Sequence, residues 1–434
     1  MRRTLRVCFC WCFLISGLSW LTPIPALAAK PDAEEFTALL PASAATPIPP
    51  PRGASRARLA KNETTGEMAL HAKTAQDAIA AAIRQRTAGC QSIRFGHHGF
   101  GWVATGMASY AVAGQQPVSI HQTKRETHFK AFTDARAHLH RCLQALTPEA
   151  QHRITTILEQ NDAIRLALVN LATNDQERHE QALDILARGF VAYAVEDDVA
   201  VQALRVHLVA TPKTATRLTR PTASAMEATS LREGLRQTQI EVESGLIPPV
   251  GNRLIVVNAT GELALVGYAV DVISVPPESV ARDQSRTAVE KTAVARATAA
   301  LMGLAAGNNA DWQDGLSEAN RGEIRAAASG YQDAEPSASR FGQIRDLIMV
   351  AVKDDPGLQA LRENRLPLAV AIKRFGGEDT VAVMMSYAPS VKRCASPPAQ
   401  STTPLAMPSS ESPAPSPESA PPTPPSEPTL PEGR

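Results

Sequence analysis

The sequence predicts an α+β fold with two tandem copies of one module, in each of which an antiparallel sheet of two hairpins packs against helices. A helix pattern rich in alanine occupies residues 130–146 and returns at residues 291–304. Each occurrence follows a stretch of glycine and β-branched residues that is typical of a hairpin, and a second such stretch closes each copy. The order strand, strand, helices, strand, strand therefore occurs twice.

The spacing of small residues supports the two copies. Gly106 stands 25 residues before Ala131, and Gly267 stands 26 residues before Ala293. Positions three or four apart share one helical face, so matching helix positions are predicted to be buried against the sheet, where alanine permits close approach. These positions correspond at a shift of 162 residues: Ala131, Ala135, Leu139 and Cys142 in the first copy, and Ala293, Ala297, Leu301 and Leu304 in the second.

Turn signals place the hairpins. In the first copy "HHGFG" at residues 97–101 separates two strands, and in the second copy the turn is predicted at residues 258–262. The closing hairpins end at Pro212 and Pro389, as expected where a chain leaves the edge of a sheet.

Further helices are predicted around the copies. One at residues 75–85 leads into the first copy, and one at about residues 225–243 leads into the second. Thr147 with Pro148 marks another helix start, because threonine caps helices and proline fits their first position. Two separate domains are favoured over one continuous sheet.

The amino terminus predicts export. "MRRTLR" is basic, the apolar run that follows has about 15 residues, short of the roughly 20 that span a bilayer, and "ALAA" offers a cleavage site after Ala28. An uncleaved membrane anchor is the alternative. Cys8, Cys10 and Cys12 lie inside the apolar run, away from the cleavage site, so a lipid anchor is not expected. The mature protein is predicted to be periplasmic or secreted, with no transmembrane segment.

Proline-rich tails flank the folded part. They are predicted to be disordered spacers, with a ligand for a proline-reading partner as the alternative. The predicted division of the chain is a signal peptide at 1–28, a disordered linker at 29–60, a first α+β module at 61–215, a helical linker at 216–248, a second module at 249–395 and a Pro-rich tail at 396–434.

Composition disfavours nucleic-acid binding. Aromatic residues make up 4% of the chain, which leaves few surfaces for stacking on bases. The formal net charge is +1, and loss of Arg2, Arg3 and Arg6 with the signal peptide changes it to +1 − 3 = −2. A nearly neutral chain has no strong attraction for polyanions or anionic lipid.

The glycine-centred strand with an AxxxAxxxL helix about 25 residues later resembles bacterial envelope domains of the Lpp-twenty lipoprotein type and the amino-terminal domain of the flagellar H-ring protein. The stretch "GLIPPVGNRLIVVNATGELALVG" at 245–267 also resembles an uncharacterised family of secreted bacterial proteins. The resemblance covers residues 88–395 and implies an envelope module, with no catalytic residue to carry over. Unlike the lipoproteins, this chain lacks a lipidation cysteine.

A metal site in the first copy is the clearest enzymatic hypothesis, because all ten histidines lie between His71 and His207. Structural and catalytic zinc sites usually have three or four convergent protein ligands. His138 and His140, two positions apart, point to different sides of their helix, and His97 and His98 occupy a predicted turn. The pattern therefore favours no metal ligand.

Cysteines and acidic residues are also candidates. Cys142 could be a small core residue, a nucleophile activated by His138, or half of a disulfide with Cys90, which would leave Cys394 as a free or intermolecular thiol. Two acidic clusters are predicted to be solvated hairpin turns. They are Glu196, Asp197 and Asp198 in the first copy, and Glu378 and Asp379 in the second.

No serine-hydrolase, zinc-protease, phosphate-loop or dinucleotide motif is present in the sequence. The sequence therefore favours an exported, non-catalytic envelope interaction or assembly protein that binds other envelope proteins, with no catalytic, cofactor or metal residue. The alternatives are a metal-dependent hydrolase with its site in the first domain, and a cell-wall or carbohydrate-binding protein.

Overall fold

The computed structural model describes residues 57–85, 87–111, 117–257, 259–307, 321–322, 325 and 335–389. The predicted signal peptide, the Pro-rich tail, Cys394 and nearly all of the predicted linker at 29–60 lie outside these residues. None of the helices in the described ranges is both long and apolar enough to cross a membrane.

Two groups of elements follow one another along the chain, and we call them the first and second modules. The first module comprises β1 Arg58–Lys61, β2 Met68–Ala72, α1 Ala75–Ile83, β3 Gly89–Phe95, β4 Gly99–Ser109, α2 Pro117–Gln144, α3 Pro148–Leu158, α4 Asp162–Leu171, α5 Asp175–Arg188, β5 Val191–Asp198, β6 Ala203–Ala210 and α6 Pro212–Arg217. The second comprises β7 Leu218–Thr222, β8 Ala225–Ala228, α7 Leu231–Glu243, β9 Val250–Val257, β10 Glu262–Val272, α8 Arg282–Ala306, α9 Glu335–Ala351, α10 Pro356–Arg362, β11 Ala371–Phe375 and β12 Thr380–Tyr387.

Each module forms one six-stranded mixed sheet. The strand orders are β1-β2-β3-β4-β6-β5 and β11-β12-β10-β9-β8-β7, so the two sheets connect equivalent strands in the same way. Within each sheet the neighbours pair antiparallel except for β2 with β3 and β8 with β9, which are parallel and joined through α1 and α7. The predicted α+β class with two tandem modules is confirmed, and both modules lie in one compact unit that ends at Lys392.

The predicted sheet of two hairpins was too small, because a third hairpin opens each module. In the second module this hairpin is β7–β8. The segment 216–248, predicted as a helical linker, therefore contributes two strands to the second sheet and the helix α7. The helix predicted from about residue 225 begins at Leu231. In the first module β1 starts at Arg58, inside the segment predicted to be a disordered linker.

Other predicted boundaries are confirmed. The helix predicted at residues 75–85 is α1, and the alanine-rich stretches lie in α2 and α8. Thr147 caps α3, where its side chain accepts a hydrogen bond from the backbone N–H of Ala150. Satisfying this otherwise unpaired N–H stabilises the first turn.

Both faces of the central strands of each sheet are buried. Along β4, Trp102 and Ala104 pack against α2 to α5, while Val103 faces α1, because side chains of a strand alternate between faces. In the second module Leu263 and Leu265 of β10 share a core with α8, while Ala264 packs near α7. Residues of the two long strands are therefore apolar on both sides.

The alanine face of each long helix lies on the sheet. Ala131 and Ala135 of α2, and Ala293 and Ala297 of α8, are fully buried, as predicted. A side chain at Gly106 would overlap the backbone of α2 between residues 131 and 135, so this glycine permits the close approach.

The helix register differs between the modules by one turn. A side chain at Gly267 would overlap α8 at Ala297 and Leu301, whereas a shift of 162 residues would place the contact at Ala293. The predicted alignment of the two helices is therefore wrong by four residues. The prediction that the alanines are buried is still correct, because a displacement of four residues keeps the same helical face towards the sheet.

Candidate docking groove between the modules

The four candidate histidines do not converge. His97 and His98 are exposed in the turn between β3 and β4, with ring centres 6.4 Å apart. His138 lies 3.3 Å from a carboxylate oxygen of Asp134 and 3.0 Å from the guanidinium of Arg141, and His140 is exposed. Across the described ranges, no three or more His, Cys, Asp or Glu side chains are arranged to hold one metal ion.

The acidic cluster of the first module lies at the end of β5, one element earlier than predicted, because the turn itself spans residues 199–202. Each carboxylate has a polar or cationic neighbour, which accounts for the cluster structurally. The neighbours are His207 Nε2 for Glu196 at 3.8 Å, Tyr110 and Lys124 for Asp197 at 2.6 and 2.7 Å, and Arg205 for Asp198 at 3.2 Å.

The acidic cluster of the second module lies in a turn, as predicted, between β11 and β12. It also contacts the other module. Asp379 forms an ion pair with Arg282 at 2.8 Å and lies 3.3 Å from Nε2 of His121 in α2. This turn therefore helps to hold the modules together.

Cys90 and Cys142 form a disulfide, which joins β3 to α2 with a Cα–Cα distance of 6.2 Å. The sequence left this pairing open. Because the sulfur of Cys142 is bonded to Cys90, the alternative of a Cys142 nucleophile activated by His138 is wrong for this oxidised chain. The bond fixes the long helix onto the sheet.

Two arginines link the modules through backbone carbonyls. Arg188, at the end of α5, donates from Nη1 to the carbonyl oxygens of Arg220 and Pro221 at 3.3 and 3.4 Å. Arg220 of β7 donates back to the carbonyl of Phe190 at 2.6 Å, and its guanidinium lies 4.1 Å from the centre of the Phe190 ring. The exchange satisfies carbonyls at the edges of both sheets.

A buried carboxylate neutralises Arg220. Glu241 of α7 accepts hydrogen bonds from Arg220 Nε at 3.0 Å and from Arg253 Nη1 of β9 at 2.6 Å. All three side chains are about 1% exposed. Burial alone would raise the pKa of the Glu241 carboxyl, but the two guanidinium charges outweigh it and lower the pKa to about 2.

One face of α2 lies against the second module. His121 faces Asp379, and His128, two turns later, lies against Gly245, whose backbone is in the left-handed region with φ +64°. Nε2 of His128 is buried and has no hydrogen-bond partner among the described residues. Burial lowers the pKa of this imidazole to about 4, so it is neutral at pH 7.

A groove runs along the junction of the modules, between α4 of the first and α9 of the second. Its volume is about 1020 Å³. The lining combines small side chains, leucine and isoleucine with polar side chains. The lining residues are Gln160, Asn161, Asp162, Ala163, Leu166, Ala167, Thr216, Thr229, Ala259, Ser339, Arg340, Gln343, Ile344 and Leu347.

The groove continues into exposed apolar surface. Leu166 is 62% exposed and Leu347 is 74% exposed. Val169 and Val350, one turn further along the same helices, are also exposed. Exposed apolar side chains gathered on two adjacent helices mark an interaction surface more often than single ones do.

Several polar groups of the groove have partners within the chain. Asn161 caps α4 and accepts hydrogen bonds from its first backbone N–H groups, and Asp162 pairs with Arg165 at 2.6 Å. Arg340 forms an ion pair with Glu227. The Asp162–Arg165 pair is exposed and the Arg340–Glu227 pair is mostly buried, so each of the two charged lining residues has a partner of opposite charge.

The sequence did not point to this groove, because its walls come from segments about 180 residues apart. The buried arginines left a weak signal. Arg253 stands in "GNRLIVVN", where a charged residue interrupts an otherwise apolar strand, and a buried partner is expected for such a residue. That partner, Glu241, lies in the segment predicted to be a linker helix.

No protein-family model and no curated protein matches the chain. A crystal structure of a hypothetical protein from Francisella tularensis aligns over 71% of this chain and 86% of its own length, with 12% identity and a TM-score of 0.20. At this TM-score the alignment carries no argument about fold or function.

Proposed function

We propose that this chain is an exported, non-catalytic interaction or assembly protein of the bacterial cell envelope, and that a helical segment of a partner protein binds in the groove between α4 and α9. The groove carries the proposal. It combines a volume of about 1020 Å³ with small side chains and with exposed leucines on two neighbouring helices, features that suit the apolar face of a helix.

The lining favours a helix over other ligands. The described lining residues include no aromatic side chain, whereas sites for proline-rich segments are lined with aromatic rings and sugar sites use rings for stacking. The walls are themselves helices, so a third helix would pack against Leu166 and Leu347 in the manner of a helix bundle.

Export is supported by two features. The first 28 residues have the pattern of a signal peptide, and the Cys90–Cys142 disulfide is of a kind that persists in oxidising compartments. The resemblance to envelope domains agrees with this location. The matching strand order of the two sheets supports descent of both modules from one unit.

Site-specific photocrosslinking in the producing cells tests the proposal. A crosslinking residue is introduced at Leu166 or at Leu347, and a third variant carries it at Leu59, which is 63% exposed and lies in β1, a strand that contributes no residue to the groove lining. We expect one partner protein to be crosslinked from both groove positions and not from position 59. Leu166→Asp with Leu347→Asp should abolish copurification of that partner, and Leu59→Asp should retain it.

Two outcomes would contradict the proposal. Crosslinking of the same proteins from position 59 would show a non-specific apolar surface. A partner that copurifies equally with Leu166→Asp, Leu347→Asp protein would bind elsewhere. Either result would remove the groove as the docking site.

A further inference from the structure

A second pair of histidines, outside the four candidates from the sequence, faces across two helices. His152 lies on α3 and His179 on α5, 27 residues apart. Nδ1 of His152 is 3.3 Å from Nε2 of His179, and the rings are perpendicular, with centres 5.4 Å apart. The two nitrogen atoms therefore lie close enough to share one ligand.

The separation of these nitrogens fits a metal ion between them. At 3.3 Å the two nitrogens are within reach of a long hydrogen bond from one imidazole to the other, and a shared metal ion would replace the proton of that bond. Two nitrogens that bind one tetrahedral zinc ion at about 2.0 to 2.1 Å lie roughly 3.3 to 3.4 Å apart. Small ring rotations would direct both lone pairs at one ion.

The helices hold the two rings in place. Beside His152, Ile154 and Leu158 anchor α3 in the core of the first module, and Leu183 and Leu186 anchor α5 in the same core. His152 is exposed and His179 is half-buried, so an ion from solution can reach them. One face of each helix is fixed in the core, while the two histidines remain accessible to solvent. The pair of ligands is therefore held in place before a metal ion binds.

We propose that His152 and His179 form a two-imidazole site for a divalent transition metal such as Zn²⁺ or Cu²⁺, and that the bound metal ties α3 to α5. Imidazole is a preferred ligand for these ions. The protein supplies two ligands, and water or a group from another molecule completes the coordination. Such a site differs from the enzymatic hypothesis from the sequence, which placed the metal at other histidines.

Calorimetric titration of the purified mature chain with Zn²⁺ alone, and separately with Cu²⁺ alone, tests the proposal at pH 7.5. We expect one site per chain that weakens at least tenfold in His152→Ala and in His179→Ala. The matched control is the variant with His97→Ala and His98→Ala, another exposed pair whose rings are 6.4 Å apart, and it should keep the site. Circular dichroism checks that every variant is folded.

Thermal unfolding provides an independent readout. Metal that binds only when α3 and α5 are in place should raise the midpoint of unfolding of the wild type and of the control, and not of the His152 and His179 variants. Equal binding in the wild type and in both single variants would overturn the proposal. Absence of binding to the wild type, or equal loss in the control, would overturn it as well.

Discussion

At the scale of single residues, Gly106 and Gly267 set how closely α2 and α8 approach the sheets. A Cβ atom at either position would overlap the helix backbone, at the carbonyl of Ala131 or of Ala297. We predict that Gly106→Ala and Gly267→Ala each lower the free energy of unfolding by about 1 to 3 kcal/mol, because backbone cannot yield as a flexible side chain does. Chemical denaturation measures the change.

Gly342 supplies the control for these variants. It lies inside α9, and an added Cβ atom would meet nothing within 4 Å. Gly342→Ala should therefore raise the free energy of unfolding by about 0.5 to 1 kcal/mol, since alanine favours the helix. Destabilisation by Gly342→Ala, or none by Gly106→Ala, would contradict the close approach of helix and sheet.

Periodicity predicted which alanines are buried and could not fix their register. Ala135 and Ala297 are fully buried, as the spacing of small residues predicted. The glycine contact falls at Ala131 in one module and at Ala297 in the other, which differ by one turn in the sequence alignment. A helix moved by one turn presents the same face, so spacing alone contains no information on this choice.

At the scale of elements, the Cys90–Cys142 disulfide ties α2 to β3. It closes a loop with a sequence separation of 52 residues. Replacement of both cysteines by serine should lower the free energy of unfolding by about 2 to 4 kcal/mol, because the unfolded chain gains conformational freedom. Urea denaturation with and without reductant measures this: reductant should destabilise the wild type and leave the double variant unchanged. An unaltered wild type in reductant would contradict a stabilising disulfide.

Element prediction succeeded for long elements and failed for short ones. The long helices and the longer strands of each sheet follow from strong periodicity. Strand β8 reads "AMEA", and alanine, methionine and glutamate are all good helix formers, so its local preference predicts a helix. Pairing with β7 and β9 overrides that preference, and no pattern in four residues reveals such pairing.

At the scale of the whole molecule, Glu241 is the carboxylate that two buried arginines, Arg220 and Arg253, share at the junction of the modules. In Glu241→Gln both Arg220 and Arg253 would lose their charged partner in the protein interior. We predict a loss of about 3 to 5 kcal/mol in the free energy of unfolding, which is typical when one member of a buried ion pair is removed. The exposed Glu243 in the same helix offers the control, and Glu243→Gln should change stability by less than about 0.5 kcal/mol. Equal effects would contradict the role of Glu241.

The groove could not be predicted from the sequence, because it forms only where two helices distant in the sequence, α4 and α9, pack side by side. Leu166 and Leu347 each stand in a helix whose apolar positions, read alone, suggest burial in a core. Only the packing of α4 beside α9 shows that these two side chains remain exposed on one surface. Interaction surfaces between modules depend on contacts distant in sequence, which local patterns do not encode.

The junction should also weaken in acid, because His128 is buried there as a neutral imidazole. Desolvation lowers its pKa from 6.5 to about 4, while the nearby Asp197 raises it in part and Lys124 lowers it further. As the pH falls, His128 is therefore protonated at a higher pH in the unfolded chain than in the folded protein. The contribution of His128 is complete above pH 6.5 and is lost as the pH falls towards 4, by about 2 to 3 kcal/mol. His128→Gln should reduce this part of the pH dependence, measured by urea denaturation from pH 7.5 to 4. If the free energy of unfolding of His128→Gln fell with pH as steeply as that of the wild type, other groups would account for the acid sensitivity.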